Sequence, residues 1–398
     1  VTAPEAPVLP GVAELLGTAR REGIAPALAA VVLRGGLPVH ASWHGAVRGP
    51  DGEPKPLAPG DLFDVASLTK VMATTSVAVQ LVAEGRLSLE DRAAKWLPGF
   101  VGGGRERVTV RHLLAHTSGL PAHRPLYELA MADPVAEEAF RAPGERPAPG
   151  ALVRSFARGE ALLRQAVCAE PLEAAPGERA VYSDLGFLAL GWIVEAAAGD
   201  RLSRLASRRI SEPLGMRATG FVDGLDPAAA AGFARGRTFA PTERCRHRHE
   251  VNQGAVNDDN AWAAGGGTGH AGLFSTAPEV ARLGQAWLDA VCGAPGVIPR
   301  EAAFFVRRDG AVPGSTRALG WDTPSEEGST IGSRLGRGPA GAFGHLGWTG
   351  CSLWVDVDAR LVCALLTNHC HPAGTDRARL NPFRARFHDA VADALGIG

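Results

Sequence analysis

Asp64-Val65-Ala66-Ser67-Leu68-Thr69-Lys70 opens a helical pattern that continues to Glu84, with Gly85 placed to end it. A serine and a lysine three residues apart lie one turn apart on one helix face, so the side chains of Ser67 and Lys70 can meet. A serine hydroxyl is a poor nucleophile until a neighbouring base takes its proton, and a desolvated lysine amine is such a base. The plain alternative is a solvated Ser and Lys on a surface helix, because so short a pattern often arises by chance. The other segments decide between the two.

Composition narrows the field first. The chain has 398 residues, 45% hydrophobic and 21% charged, enough for one large domain or two ordinary ones with a sizeable core. A formal net charge of −1 gives no global attraction to nucleic acid or to an anionic membrane. No apolar run approaches the roughly 20 residues that cross a bilayer. Val1 to Pro7 lacks the basic start and apolar core of a signal peptide, and Val1 reads equally as a cut end or a literal GTG start. Six scattered cysteines in so long a chain are no disulfide framework and favour a reducing compartment.

Pro10 to Arg21 is amphipathic at helical spacing, and Ala27 to Leu33 and Leu37 to Trp43 read as strands joined by the hairpin signal Arg34-Gly35-Gly36. Residues 46–60 form a polar Pro/Gly-rich connection. Val108 to Leu120 passes from a short extended piece into a helix stopped at Gly119. Residues 121–177 mix helical pieces with proline clusters and are expected to be an insertion, a lid over a cleft. Tyr182 to Ala198 and Leu202 to Ile210 restart helices, 223–262 reads as loop, and a helix follows from Pro278 to Val291. Leu319 to Trp321, Ser352 to Val357 and Leu361 to Thr367 read as strands, the last two as a hairpin, before a closing helix from Pro382 to Leu395. The expectation is an α+β fold, an antiparallel sheet flanked by helices with a mostly helical lobe and a cleft between them. The chain is expected to be one catalytic domain, with residues 1–60 and 278–398 on the sheet side and 61–277 on the helical side.

Two further stretches join Ser67-Leu68-Thr69-Lys70 in order: Tyr182-Ser183-Asp184 before an apolar helix, and Gly344-His345-Leu346-Gly347-Trp348-Thr349-Gly350 before a strand. The trio resembles the serine β-lactamase and penicillin-binding protein superfamily, whose S-x-x-K element it carries. A tyrosine in the second element is similar to the class C β-lactamase branch with its D,D-carboxypeptidase, D-aminopeptidase and carboxylesterase relatives. Leu113 to Leu120, Gly269 to Ser275 and Leu365 to Asn368 match phrases of the same hydrolases, so the resemblance spans about Ala27 to Leu395.

The resemblance implies Ser67 as the acylated nucleophile, Lys70 and Tyr182 sharing the proton work, and the backbone N–H groups of Ser67 and Trp348 as the oxyanion hole. It implies no cofactor and a small-molecule ester or amide substrate. Gly347 would let backbone and substrate approach without a Cβ between them. Three departures bear on specificity. Asp184 stands where the family usually has Asn; a carboxylate near Lys70 favours the ammonium, and the cation would in turn favour a Tyr182 phenolate. His345 replaces a lysine and Leu346 a threonine, which removes two carboxylate anchors. Esters, and amides lacking an adjacent carboxylate, are therefore expected to be better substrates than β-lactams. A D-amino-acid peptidase, a D,D-carboxypeptidase, a weak β-lactamase or an acyltransferase is an alternative within the family. A non-catalytic binder of peptidoglycan fragments or protein is the alternative outside catalysis, and it would be expected to lack Ser67, Lys70 or Tyr182.

Other features have simpler readings. Cys245-x-His247-x-His249 and His369-Cys370-His371 lack zinc-finger spacing, so no metal is expected. His112 and His116 are expected to be capped and hydrogen-bonded on a helix, and His270 to shape the cleft. Arg235 to Arg248 is expected to be a solvated loop. Residues 265–272 lack the G-K-[ST] of a phosphate loop.

Overall fold

The computed structural model describes residues 7–49, 52–372 and 376–397. The leader reading of Val1 to Pro7 lies outside these residues except for Pro7, as do residues 50–51 of the expected 46–60 connection. A six-stranded antiparallel sheet forms one side of the molecule. Its strands are β1 (Ala27–Arg34), β2 (Leu37–Arg48), β3 (Pro54–Pro56), β4 (Ala342–Leu346), β5 (Ser352–Asp356) and β6 (Leu361–Thr367), in the order β3-β2-β1-β6-β5-β4. The helices that matter here are α1 (Pro10–Arg21), α2 (Ser76–Ala83), α3 (Asp184–Ala198), α4 (Ala277–Val291) and α5 (Arg377–Leu395).

The sheet is central because the two chain ends pair: Leu28 lies opposite Thr367 and Arg34 opposite Leu361. Side chains alternate across it with period two. Leu28, Ala30, Val32, Cys363 and Leu365 face a core shared with α1 and α5. Ala29, Val31, Val362, Ala364 and Leu366 face the larger core, which α4 covers and which continues into the helical side. Each of these faces is buried, so these strands read as near-continuous apolar runs despite being antiparallel.

The sequence expectations for α1, β1, the β1–β2 hairpin and the β5–β6 hairpin match the structure, while other segments differ. The helix expected from Ser67 to Glu84 is a turn at Ala66-Ser67, a π-helical stretch at Lys70–Thr75 and then α2, with Ser76 Oγ donating to Val71 O at 2.7 Å. The helix after Thr109 stops at Leu114, not Gly119, and His116 turns the chain with a φ of 57°. Leu319 to Trp321 is a turn between isolated bridges rather than a strand. Residues 121–177 contain the helix Pro149–Ala169, whose Leu163 and Val167 are fully buried in the main core; most of the expected insertion is body, not lid. Residues 223–262 hold the helices Pro227–Ala234 and Asp259–Ala263 and a two-stranded hairpin. Arg248 there has no exposed surface: it pairs with Asp259 at 3.1 Å, donates to Val256 O and Asn257 O, and stacks on Trp262. The expected solvated arginine loop is thus partly a packed wall, because a guanidinium can be buried once carbonyls and a carboxylate satisfy its donors.

Candidate active site

Three short strands fix the turn that carries Ser67. Phe63–Asp64 pairs with Leu273–Ser275, which also pairs with Gly220–Phe221, and Val65 N donates to Leu273 O at 3.1 Å. Asp64 is fully buried and clamps the same turn from below: Oδ1 accepts from Ala66 N–H at 2.8 Å and Oδ2 from Asn257 N–H at 2.7 Å. Burial pushes its carboxyl up to about 6, although the two N–H bonds oppose the shift. Ala66 takes a left-handed φ of 48°, an uncommon conformation for a residue with a Cβ and one that recurs at functional turns.

Lys70 has no exposed surface. Its Nζ donates to Ser67 Oγ at 2.9 Å, to Asp184 Oδ1 at 2.7 Å and to His270 O at 3.1 Å. Burial works against its charge, but the Asp184 carboxylate and Tyr182 outweigh it and raise the pKa above the ordinary lysine value. Tyr182 lies with its ring centroid 4.8 Å from Lys70 Nζ and lines the same cavity as Ser67. Its phenol is also pushed up: burial dominates, Asp184 adds to it, and the Lys70 cation does not reverse the sum. The Lys70 cation does favour the Tyr182 phenolate, as expected, but desolvation and the Asp184 carboxylate outweigh it, so the phenol keeps its proton above the ordinary tyrosine value.

Tyr182 and Asp184 flank the N-terminus of α3. Ser183 caps that helix, accepting from Gly186 N–H at 3.1 Å and donating to Pro121 O at 2.6 Å. Asp184 thus sits in the first turn, where a carboxylate also meets the helix dipole. His116, read from sequence as a capped helical residue, lies instead beside Tyr182 with ring centroids 4.6 Å apart. Its Nδ1 accepts from Ser183 N–H at 3.0 Å, and its carbonyl accepts from Val181 N–H at 2.9 Å, so it grips the chain on both sides of the tyrosine. The positive φ that places it there has no local sequence signal. His112 does cap its helix, in a reciprocal pair with Thr109.

The third stretch arrives on β4 and the turn after it. His345 is buried, and its Nδ1–H donates to Leu346 O at 2.9 Å. Burial, then the Lys70 and Arg317 cations, hold its pKa well below the ordinary histidine value, so the ring is neutral at pH 7. The close approach that Gly347 permits is to Val65, whose carbonyl oxygen would lie 2.6 Å from an added Cβ; this binds the β4 turn to the serine turn. Trp348 is 46% exposed at the rim, with Arg377 stacked 4.4 Å from its ring. Arg384 is buried beneath the turn, donating to Gly347 O at 2.8 Å and Cys351 O at 2.7 Å; burial brings its pKa down to about 10, which leaves it a cation at pH 7. Neither Arg377 nor Arg384 meets a carboxylate among the described residues.

Ser67, Tyr182, Asp184, His345, Leu346, Gly347 and Trp348 line one cavity of about 700 Å³, with Lys70 buried beneath it against Ser67. All eight residues singled out in the sequence are thus brought together. Sequence reading did not single out Arg377, Arg384, Asp258 or Tyr127, which share the lining. The histidine and cysteine clusters have other partners: Cys245 faces Asp259, His247 stacks on Tyr127, and His371 pairs with Thr242 O. Among the described residues no helix is long and apolar enough to cross a membrane.

The fold has counterparts among known proteins. The Beta-lactamase family model matches residues 12–385. An Escherichia coli (strain K12) protein named "Putative D-alanyl-D-alanine carboxypeptidase" is 30% identical over 370 residues, covering 88% of this chain and 80% of its own. Among solved structures, EstCE1, "a hydrolase with promiscuous acyltransferase activity", superposes with a TM-score of 0.67 at 20% identity, covering 96% of this chain and 97% of that one. A penicillin-binding protein homologue from Caulobacter crescentus gives 0.66 at 19% identity, covering 97% of both chains. The fold, the order of its motifs and the extent of the match lead to one conclusion: the chain belongs to the Beta-lactamase family, within the serine β-lactamase and penicillin-binding protein superfamily of hydrolases.

Proposed function

We propose that this chain is a serine hydrolase that forms an acyl-enzyme at Ser67 and acts on small esters and amides. The observation that carries the reading is the fully buried Lys70 donating to Ser67 Oγ at 2.9 Å beneath a cavity. A solvated surface Ser/Lys pair would have neither the burial nor the enclosed space. Ser67 attacks the acyl carbon, its proton passes to the Lys70–Tyr182 pair, and Tyr182 hands a proton to the leaving group. Water then enters on the same route and releases the acid. Backbone N–H groups of Ser67 and Trp348 receive the oxyanion, each typically contributing about 3–4 kcal/mol in the transition state. Lys70 and Tyr182 both hold their protons tightly, so the working form is the pair with one proton removed. The molecule acts as one catalytic unit, the described residues within 1–60 and 278–398 supplying the sheet side and 61–277 the helical side.

A neutral His345 and an apolar Leu346 support neutral acyl substrates over β-lactams. A second reading, a peptidase on carboxylate-terminated substrates, is favoured by Arg377 and Arg384 at the Trp348 side of the cavity and by the name of the E. coli relative. The deciding experiment is labelling with a fluorophosphonate probe beside turnover of p-nitrophenyl butyrate and nitrocefin. Labelling and ester turnover lost in Ser67→Ala, with nitrocefin hydrolysed more slowly than the ester, is the expected result. An intact protein that takes no label would favour a binding module instead.

A further inference from the structure

An ammonium has three protons, and Lys70 uses them on Ser67 Oγ, Asp184 Oδ1 and the carbonyl of His270. All three partners belong to residues that line the cavity; the His270 carbonyl sets the remaining rotation of the Nζ group. That carbonyl belongs to the stretch Gly265 to Gly272, a backbone with little stiffness of its own because five of its eight residues are glycine. The stretch is held from outside. Thr74 Oγ1 donates to Gly269 O at 2.7 Å, and Leu273 N donates to Thr69 Oγ1 at 3.1 Å. Between those anchors His270 is fixed by its own ring: Nε2–H donates to Asp258 Oδ1 at 3.0 Å, and Nδ1 meets Thr268 Oγ1 at 3.1 Å. Asp258 is fixed in turn as the cap of the helix Asp259–Ala263, its Oδ1 also accepting from Ala261 N–H at 2.7 Å. The preceding residue, Asn257, donates its N–H to Asp64 beneath the serine turn.

We propose that Asp258 and His270 are positioning residues for Lys70: the Asp258–His270 bond holds the His270 carbonyl against Nζ and thereby aims the ammonium at Ser67. The idea rests on the reading of Ser67 as nucleophile and Lys70 as its cationic partner. Neither Asp258 nor His270 exchanges a proton with substrate; they set where Lys70 points, so their loss is felt in the chemical step and not in substrate binding.

The test uses the full chain and p-nitrophenyl butyrate, with folding checked by thermal melting. Asp258→Ala and His270→Ala are each expected to lower kcat ten- to a hundredfold with KM within threefold of wild type. Because both act through one contact, the double variant should be no slower than the slower single variant. Asp258→Asn keeps an oxygen that can accept from both His270 Nε2–H and Ala261 N–H and caps a helix as well as Asp does, so it should recover kcat to within about fivefold of wild type. A kcat within threefold of wild type in a folded Asp258→Ala protein overturns the proposal, as do losses that multiply in the double variant. Should Asp258→Ala fail to fold, the Asp258→Asn and His270→Gln proteins decide: both keep a bond across the 258–270 gap, and a hundredfold loss in both overturns it. Ser67→Ala is measured alongside. If that variant still turns over the ester, the reading of Ser67 falls and this proposal falls with it; if it is inert while Asp258→Ala is fully active, only this proposal falls.

Discussion

Asp184 is the residue on which the pH behaviour of this site turns. Its carboxylate lies 2.7 Å from Lys70 Nζ and raises the pKa of both Lys70 and Tyr182. With both groups protonated at neutral pH, kcat/KM should rise with pH, about tenfold per unit below the midpoint, as the pair sheds its first proton. Replacing Asp184 by Asn removes a cause of the upward shift from each partner, so the midpoint must move to lower pH. Asp184→Asn is therefore expected to reach its plateau earlier and at a lower height, because the ion pair that orients Lys70 is gone. A pH–rate profile for kcat/KM on a neutral ester checks this; an undisplaced midpoint would show that Asp184 does not tune the proton-carrying pair. The opposite sign would also be informative. A midpoint moved upward would mean that Asp184 takes the proton itself.

At the scale of elements, α3 and the glycine stretch 265–272 cross so closely that side chains are excluded from both. A Cβ on Gly191 would lie 2.8 Å from Gly269 Cα, and one on Gly269 would lie 2.1 Å from Phe187 O. Helix propensity favours Gly191→Ala by about 1 kcal/mol, whereas overpacking against unyielding backbone costs about 1–3 kcal/mol or more. Sterics should win: a net loss of about 2 kcal/mol, read as a Tm lower by about 2 °C in a chain of this size. A stabilised Gly191→Ala protein would contradict this packing. Such crossings also explain what the sequence could and could not convey. Ser67 and Lys70 were legible because their relation is local, and α1, β1 and the two hairpins because apolar period and turn residues are local too. The π-helical stretch at Lys70–Thr75 was not, since nothing in its residue types distinguishes it from an α-turn. His270 to Lys70, Asn257 to Asp64 and Arg384 to Gly347 are joined only by the fold, over 200, 193 and 37 residues of sequence. Arg248 read as surface for a different reason: its partners Val256, Asn257, Asp259 and Trp262 are near in sequence, but the helix that carries the last two reads as loop.

For the molecule as a whole, the last helix matters as much as the first motif. The strands that pair the two chain ends place α5 behind β5 and β6, and its residues Arg377 and Arg384 reach the cavity beside Trp348. With a neutral His345 and an apolar Leu346 in the third stretch, the cavity still has cations nearby, and these two come from another element. Arg384 is committed to the carbonyls of Gly347 and Cys351, whereas Arg377 is exposed at the rim and meets no carboxylate among the described residues, so it is placed to meet a substrate carboxylate there. A charge-assisted contact to a carboxylate is worth about 1.5–3 kcal/mol when buried, and at a solvated rim about 1 kcal/mol is expected. On a pair of depsipeptide esters that differ only in a free or methylated terminal carboxylate, Arg377→Gln should lower kcat/KM about fivefold for the free acid. The methyl ester should be unaffected. Wild-type preference for the free acid, lost in the variant, would favour the peptidase reading over that of a neutral-ester hydrolase. Equal rates on both esters in both proteins would remove Arg377 from substrate recognition and leave the neutral ester as the better description of what the cavity accepts.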